Sequence, residues 1–212
     1  MTERNRVAVI DCGMGNVGSI VNMLKKIGAQ VALSTCPEDM GQAERLILPG
    51  VGAFDAGMRN LRDRGYVDAL RQRVLRDRAP ILGICLGMQL FTARSEEGRE
   101  PGLGWLDAET IRFRFGPGET RLKIPHMGWG KVRLCKPSPL FPDPDPARRF
   151  YFVHSYHVAC RNPDDVLTAS RHGGEFTSAV CRGNILGTQF HPEKSHRFGI
   201  ELFRHFMDWR PT

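Results

Sequence analysis

The sequence predicts one α/β domain over residues 1–212, with a mostly parallel central sheet flanked by helices and extra antiparallel strands from residues 105–180. Three observations predict it. Apolar runs alternate with helical patterns through residues 7–90, the pattern of parallel strands covered on both faces. The second half then changes to closely spaced strand-like runs divided by turn residues. A chain of 212 residues, 41% of them hydrophobic, can also bury one full core.

The elements follow in order. Val7–Asp11 (VAVID) reads as a strand, Gly13, Gly15 and Gly18 as a turn, and NMLKKIG as a helix stopped by Gly28. Gln30–Ser34 and Arg45–Leu48 are the next strands, the latter ending in Pro49-Gly50-Val51-Gly52. A helical region extends to about Asp77, and Pro80 opens the buried strand PILGI. Further strands are expected at ETIRFRF, KVRL, FYFV, VLTAS, SAVC and ILGTQF, and a closing helix over 196–207. Turns are expected at Gly116-Pro117-Gly118, Pro137–Pro146, Gly173-Gly174 and Gly183-Asn184. The proline-rich segment is short enough to be a surface loop rather than a linker.

Composition narrows the function classes. No run approaches the ~20 apolar residues that span a bilayer, and the N-terminal segment lacks the apolar core of an export signal. A soluble, cytoplasmic protein is expected. The six cysteines, at 12, 36, 85, 135, 160 and 181, have no CxxC spacing, so a zinc site is disfavoured and free thiols are expected. The net charge of +7 invites a nucleic-acid partner, but Asp63, Asp68 and Asp77 are interleaved with the arginines of 59–78. That segment reads as a helix with a charged outer face, and no nucleic-acid-binding signature accompanies it.

The sharpest local pattern is Gly83-Ile84-Cys85-Leu86-Gly87, between an apolar strand and the helical MQLF. Flanking glycines allow a tight strand-to-helix turn that holds the middle side chain exposed, and a following helix would favour a thiolate there. Cys85 is therefore either a nucleophile or a small buried hydrophobe at a strand end. A nucleophile needs a base and an orienting group. Gly187-Thr188-Gln189-Phe190-His191-Pro192-Glu193 offers both: in extended geometry His191 and Glu193 share a face, with Pro192 fixing the backbone between them. Taken alone this is a surface turn; its weight comes from occurring with the cysteine elbow. The other histidines lack such a carboxylate. PGVG is either an ordinary turn or, with the N–H of Leu86, part of an oxyanion hole.

Together PGVGAF (49–54), GICLGMQL (83–90), PHMGW (125–129), YFVHSYH (151–157) and GTQFHPEKS (187–195) resemble the class I glutamine amidotransferases, and within them the glutaminase subunits of imidazole glycerol phosphate synthase. The resemblance implies a fold that is flavodoxin-like in its first half. It implies a triad of Cys85, His191 and Glu193, with Gly50, Gly52, Leu86, Gln89, Glu97, Ser155 and Tyr156 holding glutamine or shaping the hole around it. No metal or organic cofactor is implied. It further implies a (β/α)8-barrel cyclase partner that receives ammonia in histidine biosynthesis, docked around Met127, Trp129 and Lys194. Gly130 replaces the Asn that usually follows PHMGW. With GLGWLDAETIRF (102–113) and EKSHRFGIEL (193–202), it is more similar to a paralogous branch feeding ammonia to a nucleotide-sugar amidotransferase. A cysteine peptidase or a DJ-1-like hydrolase could share the elbow, but would need neither the glutamine-site residues nor a partner.

Overall fold

Strands whose residues are buried from end to end sit where helices cover both sheet faces. The computed structural model, which describes residues 6–116, 122–142 and 145–211, has four of them. These are β1 (Arg6–Ile10), β3 (Arg45–Gly50), β4 (Ile81–Cys85) and β13 (Ile185–Thr188), buried throughout except at Arg6. With the exposed edge strand β2 (Gln30–Ser34) they form a parallel block in the order β2-β1-β3-β4-β13. Alternate side chains enter opposite cores. Val7 and Val9 face one cluster with Leu24, Phe203 and Phe206, while Ala8 and Ile10 face another with Met58, Leu61 and Leu70. The first layer is made by α1 (Val17–Lys26) and α5 (His196–Asp208), the second by α2 (Phe54–Asp63) and α3 (Tyr66–Arg71). Each fully buried Leu or Phe in these layers stabilises the fold by roughly 1.5–3 kcal/mol.

The antiparallel extension begins at β13. It includes β6 (Ala108–Arg112), β8 (Arg133–Leu134), β10 (Tyr156–Cys160), β11 (Val166–His172) and β12 (Gly174–Arg182), and ends on the short strand β5 (Arg94–Ser95), which pairs parallel to β6. The order continues β13-β12-β10-β6-β5, with β11 pairing β12 and β8. A separate antiparallel ribbon joins β7 (His126–Lys131) to β9 (Arg149–His154). The expected fold class is thus observed.

Several local expectations need adjusting. The helical region before Asp77 breaks at Gly65, whose φ of +74° separates α2 from α3. Its arginines do face outward: Arg59 and Arg62 pair with Glu100, and Arg73 with Asp77. The helix after Cys85, α4 (Leu86–Gln89), is only four residues long. HMGWG, which forms β7 together with Lys131 of the expected KVRL strand, and YHVAC, which forms β10, were not anticipated as strands. Of the expected turns, Pro117 and Gly118 lie outside the described residues, as do positions 143–144 of the proline-rich loop. Among the described residues no helix is long and apolar enough to cross a membrane. All six cysteines are free.

Candidate active site

Three segments leave the carboxyl ends of adjacent parallel strands and converge there. These are PGVG after β3, Cys85 at the end of β4, and Gln189 to Glu193 after β13. Parallel α/β sheets bind ligands at this edge. Cys85 adopts φ +55° and ψ −110°, a conformation rare for any residue but glycine. The turn is tight because its flanks carry no side chain: a Cβ on Gly87 would lie 1.8 Å from the Leu48 carbonyl oxygen, and one on Gly83 would lie 2.6 Å from the Phe91 ring. The elbow therefore exists, with a buried Cys85, 7% exposed, that packs at the edge of the core and also lines a cavity.

His191, the base expected from the sequence, sits beside the thiol. Pro192–Lys194 forms a 3-10 turn, so Glu193 is not extended as expected; the turn curls its carboxylate back onto His191. Nδ1 of His191 and Oε1 of Glu193 are 2.7 Å apart, and both side chains are almost wholly buried. The backbone around them is fixed by β9: the His191 N–H donates to the Tyr151 carbonyl, and the Ser195 hydroxyl accepts from the Tyr151 N–H while donating to the His191 carbonyl. Burial lowers the pKa of His191, but the Cys85 thiol and Glu193 carboxylate outweigh it and raise it to about 9. Nε2 forms no well-aligned hydrogen bond among the described residues, so this nitrogen is left to exchange a proton on the Cys85 side.

The cavity in front of Cys85, about 530 Å³, is lined by Gly52, Leu86, Gln89, Glu97, Ser155 and Tyr156, and also by Val51, Pro125, Val153, His154 and Lys194. Six of the seven binding residues expected from sequence are thus in its wall. Gly50, the seventh, is buried in β3 opposite Cys85, and a Cβ there would lie 2.9 Å from the Leu86 Cβ. It permits close packing under the elbow instead of touching the cavity. Glu97 accepts a 2.8 Å bond from the Phe54 N–H, which ties the end of the PGVG loop to the cavity wall. Gly52 has φ +105°, the glycine-favouring conformation that the loop needs.

Sequence reasoning missed Gln189. It is fully buried, and its Nε2 lies 3.7 Å from the Cys85 sulfur. The signal was present: Gln189 stands two residues before His191, as Glu193 stands two after it. Among the described residues no group of three or more His, Cys, Asp or Glu side chains is placed to hold a metal ion.

The match to the family model "Glutamine amidotransferase class-I" extends over residues 8–209, and the chain belongs to this family. A relative from Pseudomonas aeruginosa, imidazole glycerol phosphate synthase subunit HisH 2, is 50% identical over 95% of this chain and 98% of its own. One of the same name from Methanococcus maripaludis is 49% identical, with the same coverage. Among solved structures, a glutamine amidotransferase superposes with a TM-score of 0.70 over 95% of this chain and 97% of that one, at 22% identity, and so shares the fold.

Proposed function

We propose that this protein is a glutaminase subunit that hydrolyses glutamine with Cys85, His191 and Glu193 and passes the ammonia to a synthase partner. The observation that carries the reading is a cysteine held at positive φ on the floor of a cavity large enough for glutamine, with a buried His–Glu pair behind it. The Cys85 sulfur attacks the side-chain amide carbon, and the oxyanion forms beside the Leu86 N–H and the PGVG loop. His191 protonates the departing nitrogen, giving ammonia and a γ-glutamyl thioester. It then takes a proton from water, whose oxygen attacks the thioester to release glutamate and restore the thiol. Glu193 holds the imidazole tautomer throughout. Gln89, Glu97, Ser155 and Tyr156 are the residues that bind the amino acid.

The relatives, named as subunits of imidazole glycerol phosphate synthase, support its cyclase subunit as the partner and histidine biosynthesis, in the cytoplasm, as the pathway. A second reading keeps the chemistry and changes the acceptor to a nucleotide-linked sugar. Gly130 favours it, because a Cβ there would meet the Phe152 ring at 2.9 Å, so this docking face is shaped differently from one carrying Asn. Feeding each acceptor to the assembled complex separates the two.

Cys85→Ala tests the chemistry. It should abolish glutamate release while the complex still uses free ammonium; loss of both would contradict the division of labour.

A further inference from the structure

A buried run of amides ends at the Cys85 sulfur, and its direction is fixed from the far end. The Tyr156 carbonyl can only accept, so the Gln89 atom 3.0 Å from it is the nitrogen. That same nitrogen is 3.0 Å from the side chain of Gln189, which must therefore present its oxygen. The Gln189 nitrogen is then turned to the Cys85 sulfur, 3.7 Å away. The Gln189 backbone N–H is held by the Ser178 carbonyl at 2.9 Å, and its side chain has no exposure to water. A buried glutamine with both ends committed is a fixed dipole, and an apolar residue would fill the space at lower desolvation cost.

The helix after Cys85 is a single turn, so its dipole contributes little negative-charge stabilisation at the sulfur.

We propose that Gln189 is a catalytic residue whose amide N–H donates to the Cys85 sulfur and stabilises the thiolate while His191 carries the proton, its orientation locked by Gln89 and the Tyr156 carbonyl. The same relay joins the nucleophile to the Ser155–Tyr156 wall of the glutamine cavity. The inference rests on Cys85 being the nucleophile, but its test reads the sulfur directly and requires no turnover.

The experiment is the pH profile of Cys85 alkylation by iodoacetamide, resolved from the other five cysteines by peptide mass, in the full-length chain. Gln189→Met is close in size and removes the donor; it should slow Cys85 alkylation at pH 7 by about tenfold and move the profile to higher pH. Glutamine turnover should then fall through kcat, with KM little changed. Gln89→Met leaves Gln189 in place but removes its lock, and should shift the profile in the same direction by less. An unchanged profile in a folded Gln189→Met or in Gln89→Met overturns the proposal. Should Gln189→Met fail to fold, Gln89→Met alone decides it. Failure of Cys85→Ala to lose glutaminase activity would instead overturn the underlying assignment of the nucleophile.

Discussion

Glu193 shows how one carboxylate can set the behaviour of a site without touching its cavity. It contacts His191 at 2.7 Å and, with Cys85, raises the imidazole pKa against its burial. Glu193→Gln should lower kcat by about two to four orders of magnitude with little change in glutamine binding, since tautomer and charge are lost but the cavity wall is not. An unaffected rate would remove Glu193 from the mechanism. Because the folded pKa of His191 lies above its ordinary value of 6.5, its protonation stabilises the fold fully below pH 6.5, and this contribution is lost as the pH rises through about 9. The fall in Tm between pH 6.5 and 9.5 should therefore be shallower in Glu193→Gln than in the parent. At this scale the Cys85 turn was legible because glycines flank it, and the nearness of His191 and Glu193 was legible from their spacing, although the backbone between them is a 3-10 turn and not extended. Gln189 was not, because its partners Gln89 and Cys85 are 100 and 104 residues away in sequence.

Between residue and molecule, the strands that carry the site were readable where they are uniformly apolar. β7 and β10 were not, since HMGWGK and YHVAC mix polar, glycine and aromatic residues and become strands only through their partners. Their histidines form a buried aromatic group with Phe113, Phe152 and Phe176. His126 stacks on His172 and Phe152 at 4.3 and 4.9 Å and lies 3.2 Å from His154 across the β7–β9 ribbon. Burial lowers the pKa of His126 to about 4 and that of His154 to about 3. The unfolded chain therefore binds more protons below pH 6.5, and the stability that these neutral rings contribute is lost as the pH falls below that value. His126→Phe keeps the stacking and removes one titrating ring. Between pH 7 and 4.5 it should lose about 2 kcal/mol less stability than the parent in urea titrations. Parallel acid limbs would show that His126 is not among the groups responsible.

At the scale of the whole molecule, three of the five large apolar side chains exposed among the described residues lie in or beside the cavity wall. Met127 is 63% exposed, Trp129 46% and Val51 42%; Val51 lines the cavity mouth, and Met127 and Trp129 stand on β7, the strand that begins just after Pro125 of that wall. Trp129 is stacked on His196 at 5.5 Å and covered by the Arg149 guanidinium at 5.8 Å, a rigid aromatic anchor of the kind that dominates interfaces. Trp129→Ala should weaken partner binding at least tenfold in a calorimetric titration while leaving the chain's own glutamate release unchanged. Unaltered affinity would move the docking face elsewhere. The sequence marked these residues by resemblance alone; periodicity says nothing about which face of a half-polar strand meets another protein.

Glutamate release from glutamine, by the chain alone and then with the cyclase subunit and its ribonucleotide, tests the central claim most directly. The account predicts strong stimulation by the partner with its substrate bound, absent in Cys85→Ala. No glutamate from a complex that still makes product from ammonium would contradict it.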